Sequence, residues 1–480
     1  MIARAVSFWL AGLEARRIDV EAKAGRGLPK FTVVGLPDRA VQEARERVRS
    51  ALGSSGFSFP AGGLVVNLAP AKERKEGSGF DLAIALAVLT TAGHLRSPDR
   101  LRRVGAAAEL GLDGRLRPVH GVLAMMEAAG RLGLDGMLVA PENAAEAALA
   151  GTVAVLAPTH LNEAVAVLAG TAPVPALPAP ASAGGDAVHP DMADVRGQLR
   201  ARRAVEIAAA GGHNLLMVGP PGSGKTMLAR RLPGLLPAPT PGEALEITRI
   251  ASAAGELAAD AGLLGRPFRA PHHSASVAAL VGNARLRPGE VTMAHRGVLF
   301  LDELPEFNRQ SLEALRMPLE DGEVRISRAA GSVLLPARFQ LIAAMNPCPC
   351  GLYGDPDREC GCAPQRLAAY RARISGPLLD RFDLQVDVPR VEAHGAGGEP
   401  TTAVALRVGL ARQLLAERRP ALGDEAEALL RQAADRRFLS GRGVDRAQRV
   451  AQTIAALSGE TEVAPDHLAE ALSYRAGSLG

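Results

Sequence analysis

Lysine is nearly absent from this chain. Of 55 basic residues only five are lysines, Lys23, Lys30, Lys72, Lys75 and Lys225, and arginine supplies the rest, a skew that a GC-rich genome would produce. From residue 76 to the end a single lysine remains, Lys225. A strong net charge is also missing. At +4 no global basic field announces nucleic acid, and a pI of about 9.1 is merely compatible with it. No run of 18 or more apolar residues occurs, which argues against a membrane span. The apolar start Val6–Leu10 is short, runs on to Glu14 and Arg16, and lacks a signal-peptide cleavage pattern, so it reads as a first strand. The expected compartment is the cytoplasm, where disulfides are rare. No cysteine lies outside residues 348–362, so the four found there need another explanation.

What is present suggests two to four domains, since 480 residues exceed one core at roughly 100–200 residues per domain. Residues 1–170 alternate β-rich and helical runs. Phe31–Gly35 and Gly63–Leu68 read as strands. Arg39–Leu52 reads as an amphipathic helix with Val41, Ala44, Val48 and Leu52 inward, and Phe80–Leu89 as a buried helix. Residues 171–190 are rich in Pro and Ala and read as an extended linker. Residues 191–395 place strands Asn214–Val218, Val298–Leu301 and Gln340–Met345 among helices, the pattern of a doubly wound α/β domain. Residues 396–480 read as all-helical, in four segments near 401–418, 424–436, 443–457 and 465–475. No repeat of 20–50 residues is visible.

The strand Asn214–Val218 runs directly into Gly219-Pro220-Pro221-Gly222-Ser223-Gly224-Lys225-Thr226 and then into a helix from Met227. Strand, glycine loop and helix are the context a phosphate-binding loop requires. The glycines let backbone N–H groups turn onto phosphate oxygens, and the helix N-terminus adds partial positive charge. Lys225 would reach the β- and γ-phosphates of ATP, and Thr226 would bind Mg²⁺. Farther on, the apolar strand Gly297-Val298-Leu299-Phe300-Leu301 ends in Asp302-Glu303. Asp302 would hold Mg²⁺, and Glu303 would deprotonate the attacking water. Asn346 ends the strand Gln340–Met345 and either closes a turn or positions that water. Arg381, in Leu379-Asp380-Arg381-Phe382-Asp383, either pairs with Asp380 or Asp383 or serves a neighbouring subunit as an arginine finger.

With these stretches in hand, the chain resembles AAA+ ATPases of the magnesium-chelatase-like group, and most closely the YifB/ComM family. Further matching runs are Asp194-Val195-Arg196-Gly197-Gln198, Phe268-Arg269-Ala270-Pro271-His272-His273, Ala294-His295-Arg296-Gly297, Leu304-Pro305-Glu306-Phe307, Asn346-Pro347 and Arg373-Ile374-Ser375-Gly376-Pro377 through Asp383. The resemblance spans essentially the whole chain. It implies Asn346 as sensor 1, Arg381 as a trans-acting finger, and a C-terminal helical lid in which Arg442 or Arg446 is sensor 2.

Residues 1–170 resemble the Lon-protease-like (S5-like) α+β domain of this family. Lys75-Glu76-Gly77-Ser78-Gly79-Phe80 resembles the serine turn of Lon-type peptidases, but Leu123 falls where their lysine stands. A hydroxyl without a base is a poor nucleophile, so peptidase activity is not expected of Ser78. Partner or nucleic-acid binding is the alternative, with Arg45, Arg47, Arg49, Lys72, Arg74 and Lys75 as a basic surface or simply a solvated one.

Cys348-x-Cys350 and Cys360-x-Cys362 share one Pro/Gly-rich loop. Four thiolates suit tetrahedral Zn²⁺, with free thiols or an Fe–S cluster as alternatives. His272 and His273 are adjacent. On a strand they would point to opposite faces and would not share a metal, so they read as structural or as contacts within an insert. Residues 323–339 read as a β-hairpin, with Glu323–Arg328, a turn at Ala330-Gly331 and Val333–Phe339. In this AAA+ group such a hairpin points into the pore of a hexameric ring. There Arg325 and Arg328 would meet DNA phosphates, unless they are ordinary surface arginines. By resemblance to ComM the expected activity is ATP-driven DNA translocation, a branch-migration helicase on single-stranded or branched DNA that aids natural transformation. A metal-chelatase-type ATPase subunit and a protein-remodelling chaperone are the other two readings.

Overall fold

A computed structural model describes residues 2–28, 30–36, 38–71, 75–173, 189–283, 286–328, 331–355, 358–390, 397–435 and 440–475, the side chains of Arg328 and Gly331 excepted. Most of the expected linker lies outside the described residues, as do Lys72, Arg74 and the turn residue Ala330. No helix among the described residues is long and apolar enough to cross a membrane.

The amino-terminal sheet has seven strands: β1 (Ile2–Ala11), β2 (Glu14–Ala24), β3 (Phe31–Val34), β4 (Leu64–Ala69), β5 (Val104–Ala107), β6 (Gly136–Val139) and β7 (Ala154–Leu156). Their order is β3-β4-β2-β1-β5-β6-β7. β1 and β2 are antiparallel over their whole length, and β5, β6 and β7 run parallel. Helix α1 (Arg39–Ser54) starts at Asp38, whose carboxylate accepts the Val41 N–H at 2.8 Å. A short polar side chain satisfies an orphan donor there. Val41, Ala44, Val48 and Leu52 face inward, as their spacing requires. Helix α2 (Asp81–Thr91) has no charge after its first residue and is buried through Thr90. A helix apolar on every side belongs in a core.

The second unit contains β8 (Leu215–Val218), β9 (Phe268–Arg269), β10 (Val298–Leu301), the hairpin strands β11 (Glu323–Arg328) and β12 (Gly331–Pro336), β13 (Gln340–Met345) and β14 (Leu384–Asp387). Five of these form a parallel sheet in the order β9-β10-β13-β8-β14. β8, β10 and β13 are buried at every position, which their apolar sequences permit because both faces are covered, and Gln340 at the start of β13 satisfies its amide on Ala208 O and His213 O. The C-terminal ends of these three central strands lie side by side, the place where open α/β sheets bind ligands. Residues 401–473 form four helices, Thr401–Glu417, Asp424–Asp435, Gly441–Leu457 and Pro465–Ser473, at the expected positions. Their Val404, Val408, Val450 and Leu468 share one core with Val205 and Ile207 of the helix Leu199–Gly211.

The two sheets are interlocked. In the tight β1–β2 turn a methyl group on Gly12 would meet Val333 Cγ1 of the hairpin at 2.6 Å, and Leu13 shares a core with Val324 and Leu335. The helix Pro241–Ala254 is held near its C-terminal end. Gly121 N–H donates to Ser252 O at 3.1 Å, and the Ser252 hydroxyl donates to Glu146. The same Glu146 oxygen accepts the Leu123 N–H at 2.8 Å.

Two of the residues expected on a basic surface of the amino-terminal unit, Arg47 and Lys75, are drawn inward instead. The Arg47 guanidinium forks onto Asp81, with Nε to Oδ2 at 2.6 Å and Nη2 to Oδ1 at 2.9 Å. The Asp81 carboxyl is fully buried and its pKa is pushed up by that burial, so Arg47 serves as its counter-charge. Lys75 is also fully buried, with its ammonium on Pro70 O. Arg45 and Arg49 remain exposed, Arg49 lying over the Phe59 ring.

Candidate nucleotide site

The loop after β8 is pinned at its start, where Gly219 N–H donates to Met345 O at 3.1 Å. Gly222 and Gly224 have φ of +77° and +94°, a region that L side chains rarely enter. The turn therefore depends on glycine at both positions. The loop then enters the short helix Lys225–Ala229. Together with Asp302, Glu303, Met345 and Asn346 it lines a cavity of about 460 Å³.

Lys225 is almost buried. Its ammonium donates to Gly219 O at 2.6 Å and Pro220 O at 2.8 Å, and lies 3.4 Å from Asn346 Oδ1. Burial lowers its pKa, while Asp302 and Glu303 act in the opposite direction. The carbonyls hold the ammonium inside the loop, where an incoming phosphate would compete for it. The Thr226 hydroxyl donates to Asp302 Oδ2 at 2.7 Å. Two oxygen ligands of the type that Mg²⁺ takes are thus already adjacent, so this donor set fits the ion. Asp302 Oδ1 also accepts the Glu303 N–H at 3.0 Å.

Glu303 has φ of +53°, a left-handed conformation that is costly outside glycine. Its half-exposed carboxylate lies 3.3 Å from His273 Nδ1. The histidine pair is not arranged as expected. β9 ends at Arg269, so the two residues follow the strand, and their rings lie 4.0 Å apart rather than on opposite faces. Gln198 is a second contact the sequence did not signal. From a left-handed backbone its amide donates to Ser223 O at 3.1 Å and Pro389 O at 2.5 Å, tying the loop to the chain after β14.

Arg381 lies elsewhere. Its carbonyl accepts Asn214 Nδ2 at 2.9 Å, at the start of β8, and its guanidinium pairs with Glu320. A four-residue strand is roughly 13 Å long, so this side chain sits at the opposite edge of the sheet from its own phosphate loop. Arg446 is there too, 3.7 Å from Asp383, and Arg442 lies 3.9 Å from Glu320. The sensor 2 candidates Arg442 and Arg446 thus do not line the cavity among Lys225, Asp302 and Asn346 of the same chain. Both stand with Arg381, drawn to acidic groups at the N-terminal edge.

Three family descriptions match in succession: "Subunit ChlI of Mg-chelatase" over residues 20–143, "Magnesium chelatase, subunit ChlI" over 191–396, and "Magnesium chelatase, subunit ChlI C-terminal" over 398–475. The competence protein ComM of Haemophilus influenzae is 43% identical, across 97% of this chain and 96% of that protein. The uncharacterized protein YifB of Escherichia coli is 42% identical, across 97% and 95%. An uncharacterized protein of Mycobacterium tuberculosis is 45% identical, across 99% and 98%. The chain belongs to the magnesium-chelatase-like ComM/YifB family. An AAA+ ATPase core, with ATP and Mg²⁺ as its ligands, comes with that membership.

Beside this core the chain carries its four thiols. The Cys348, Cys350, Cys360 and Cys362 sulfurs all lie within 4.8 Å of one another, and none is in a disulfide. Cys348–Cys350, Cys350–Cys360 and Cys348–Cys360 are separated by 3.3, 3.5 and 3.6 Å. A tetrahedron with metal–sulfur bonds near 2.3 Å has sulfur–sulfur edges of about 3.8 Å. The Tyr353 N–H donates to Cys348 Sγ at 3.2 Å, and the Leu352 N–H, ahead of neighbouring thiol protons, pulls Cys350 down to about 6. Backbone donors aimed at sulfur favour the thiolate, the form that binds metal, at Cys350, whereas at Cys360 and Cys362 the backbone donors are outweighed by burial and the thiol contact with Cys350, which raise both.

Proposed function

We propose that this family member couples ATP hydrolysis to movement along DNA as a hexameric ring that promotes branch migration and so aids DNA integration in natural transformation. One observation carries the chemistry. Lys225, Thr226, Asp302, Glu303 and Asn346 come from three parallel strands and converge on one cavity, which fits ATP held by the loop and Mg²⁺ held by Thr226 and Asp302. Glu303 is the base for the attacking water, and Asn346 orients the water and the γ-phosphate. Support for a ring comes from Arg381, Arg442 and Arg446 at the far edge of the sheet: Arg442 is exposed there, and Arg381 and Arg446 would leave Glu320 and Asp383 to meet the phosphate loop of a neighbour in a head-to-tail interface. Support for DNA comes from the relation to a competence protein and from the hairpin β11–β12, whose Arg325 is exposed.

The test is ATP hydrolysis with and without single-stranded, forked and four-way DNA, together with strand exchange on the branched substrates. Stimulation by DNA supports the proposal, and neither binding nor stimulation by any of them sinks it. A metal-insertion subunit is the second reading, favoured by the name the family carries. It requires stimulation by a porphyrin-loading partner and none by DNA. We further propose Zn²⁺ as the ion of the cysteine site, on the sulfur separations given above. The amino-terminal unit is proposed as a Lon-like fold without peptidase chemistry, because Leu123 is fully buried and brings no amine to Ser78.

A further inference from the structure

The cysteine loop touches the nucleotide site at three points. First, it begins where the sensor strand ends. Asn346 reaches toward Lys225, and Cys348, two residues on, is fully buried. Second, Gly351, between the two cysteine pairs, lies against Pro221 of the phosphate loop. A Cβ at Gly351 would stand 2.5 Å from Pro221 Cδ, and φ is +79°, so the approach is open to glycine alone. Arg390 spans the same seam, with Nη2 on Pro221 O at 3.4 Å and Nη1 4.0 Å from Asp355. Third, the helix Pro364–Arg371 begins two residues after Cys362 and carries the buried Tyr370, whose pKa burial pushes up to about 12 while the backbone N–H of Asn346 pulls it down, which puts the hydroxyl beside Asn346.

Besides the thiols, the loop is tied by Arg371 over the Tyr353 ring at 5.2 Å, by Arg390 near Asp355 and by two turn hydrogen bonds, Gly351 N–H to Cys348 O and Asp355 N–H to Leu352 O. Among its described residues, 347–363 contain neither helix nor strand, and Tyr353 is about half exposed. In a segment without helix or strand, an ion held by four thiolates would add its binding free energy to the folding free energy of the loop.

We infer that a thiophilic divalent ion bound by Cys348, Cys350, Cys360 and Cys362 is a structural part of the ATP pocket, holding Gly351 on Pro221 and Asn346 on Tyr370, so that nucleotide affinity depends on the ion. This rests on the zinc reading given above and adds a role for the site. The ion does no chemistry on ATP. It closes one wall of the phosphate loop and fixes the carboxamide that meets the γ-phosphate.

The experiment uses the full chain purified without chelators. Zinc content is measured by atomic spectroscopy, and the dissociation constant for fluorescent ADP is measured before and after zinc is withdrawn with a mercurial and chelator, then after thiol reduction and zinc return. About one zinc per chain is expected, with at least a tenfold weaker ADP affinity on withdrawal, reversed on return. Gly351→Ala separates the roles, because it leaves all four thiols in place. It should keep its zinc and still bind ADP several-fold more weakly, with an unchanged melting temperature for the rest of the fold. Zinc-loaded protein whose ADP affinity stays within twofold on withdrawal, or Gly351→Ala with full zinc and wild-type affinity, overturns the coupling and leaves the metal site standing. Protein that holds no metal overturns the site itself.

Discussion

The Nδ1 atom of His273 lies 3.3 Å from the carboxylate of Glu303. His273 follows the edge strand β9, and Glu303 follows its neighbour β10, so the contact joins an insert to the proposed base. A carboxylate that shares a proton with the imidazole is a weaker base for the attacking water. An exposed pair is worth up to about 1 kcal/mol, so His273→Ala should raise basal ATP turnover by at most about fivefold. ADP affinity should stay within twofold. A fall in basal turnover, measured in the same assay, would show that His273 helps the base instead.

Glu303→Gln keeps the shape of the side chain and removes the base. Turnover should drop by about 10²–10⁴, while nucleotide binding persists. Turnover near the wild-type rate would place the base on another residue.

The position of Arg381 leads to a mixing experiment. Lys225→Ala lacks its own phosphate-loop cation, and Arg381→Ala lacks what it lends to a neighbour. Each alone should be inactive. Equal mixtures with random assembly rebuild about a quarter of head-to-tail interfaces, so hydrolysis should return to a similar fraction. Mixtures as inactive as the parents would assign Arg381 to its Glu320 pair.

His295 links the helix Pro241–Ala254 to the strand bearing Asp302. Its Nδ1 accepts the Arg338 N–H at 3.0 Å, so its Nε2–H donates to Glu246 at 3.2 Å. Burial, outweighing Glu246, holds its pKa below the ordinary value. For a histidine lowered in this way the unfolded chain binds the extra proton, so the stability contribution is present above about pH 6.5. It is lost as pH falls through the lowered folded value. Denaturant melts of wild type and His295→Gln, compared between pH 7 and 5, should converge as pH falls. A constant gap across that range would remove His295 as the cause.

The sequence revealed what is local. A four-residue apolar strand, glycines at 222 and 224 and Lys225 announce a phosphate loop, because each is needed within one turn of chain. Asp302 was legible because an apolar strand delivers its last side chain to a sheet edge. Arg47 was not, because its partner Asp81 is 34 residues away and arginines on a helix usually face water. Gln198 and His273 were not, because backbone turning and pairing across strands decide their contacts. Arg442 and Arg446 could be named from resemblance, but only the packing of the last helices shows which edge of the sheet they occupy.

The Pro/Ala-rich stretch invites a cut that would yield residues 191–480 as a minimal motor. The contact between Gly12 and the hairpin makes that fragment a poor product. Cutting there strips Val333 and Leu335 of the turn that covers them, and leaves the Ser252 carbonyl without the Gly121 N–H. The excised piece should aggregate, and function should be mapped by point substitution in the intact chain rather than by truncation.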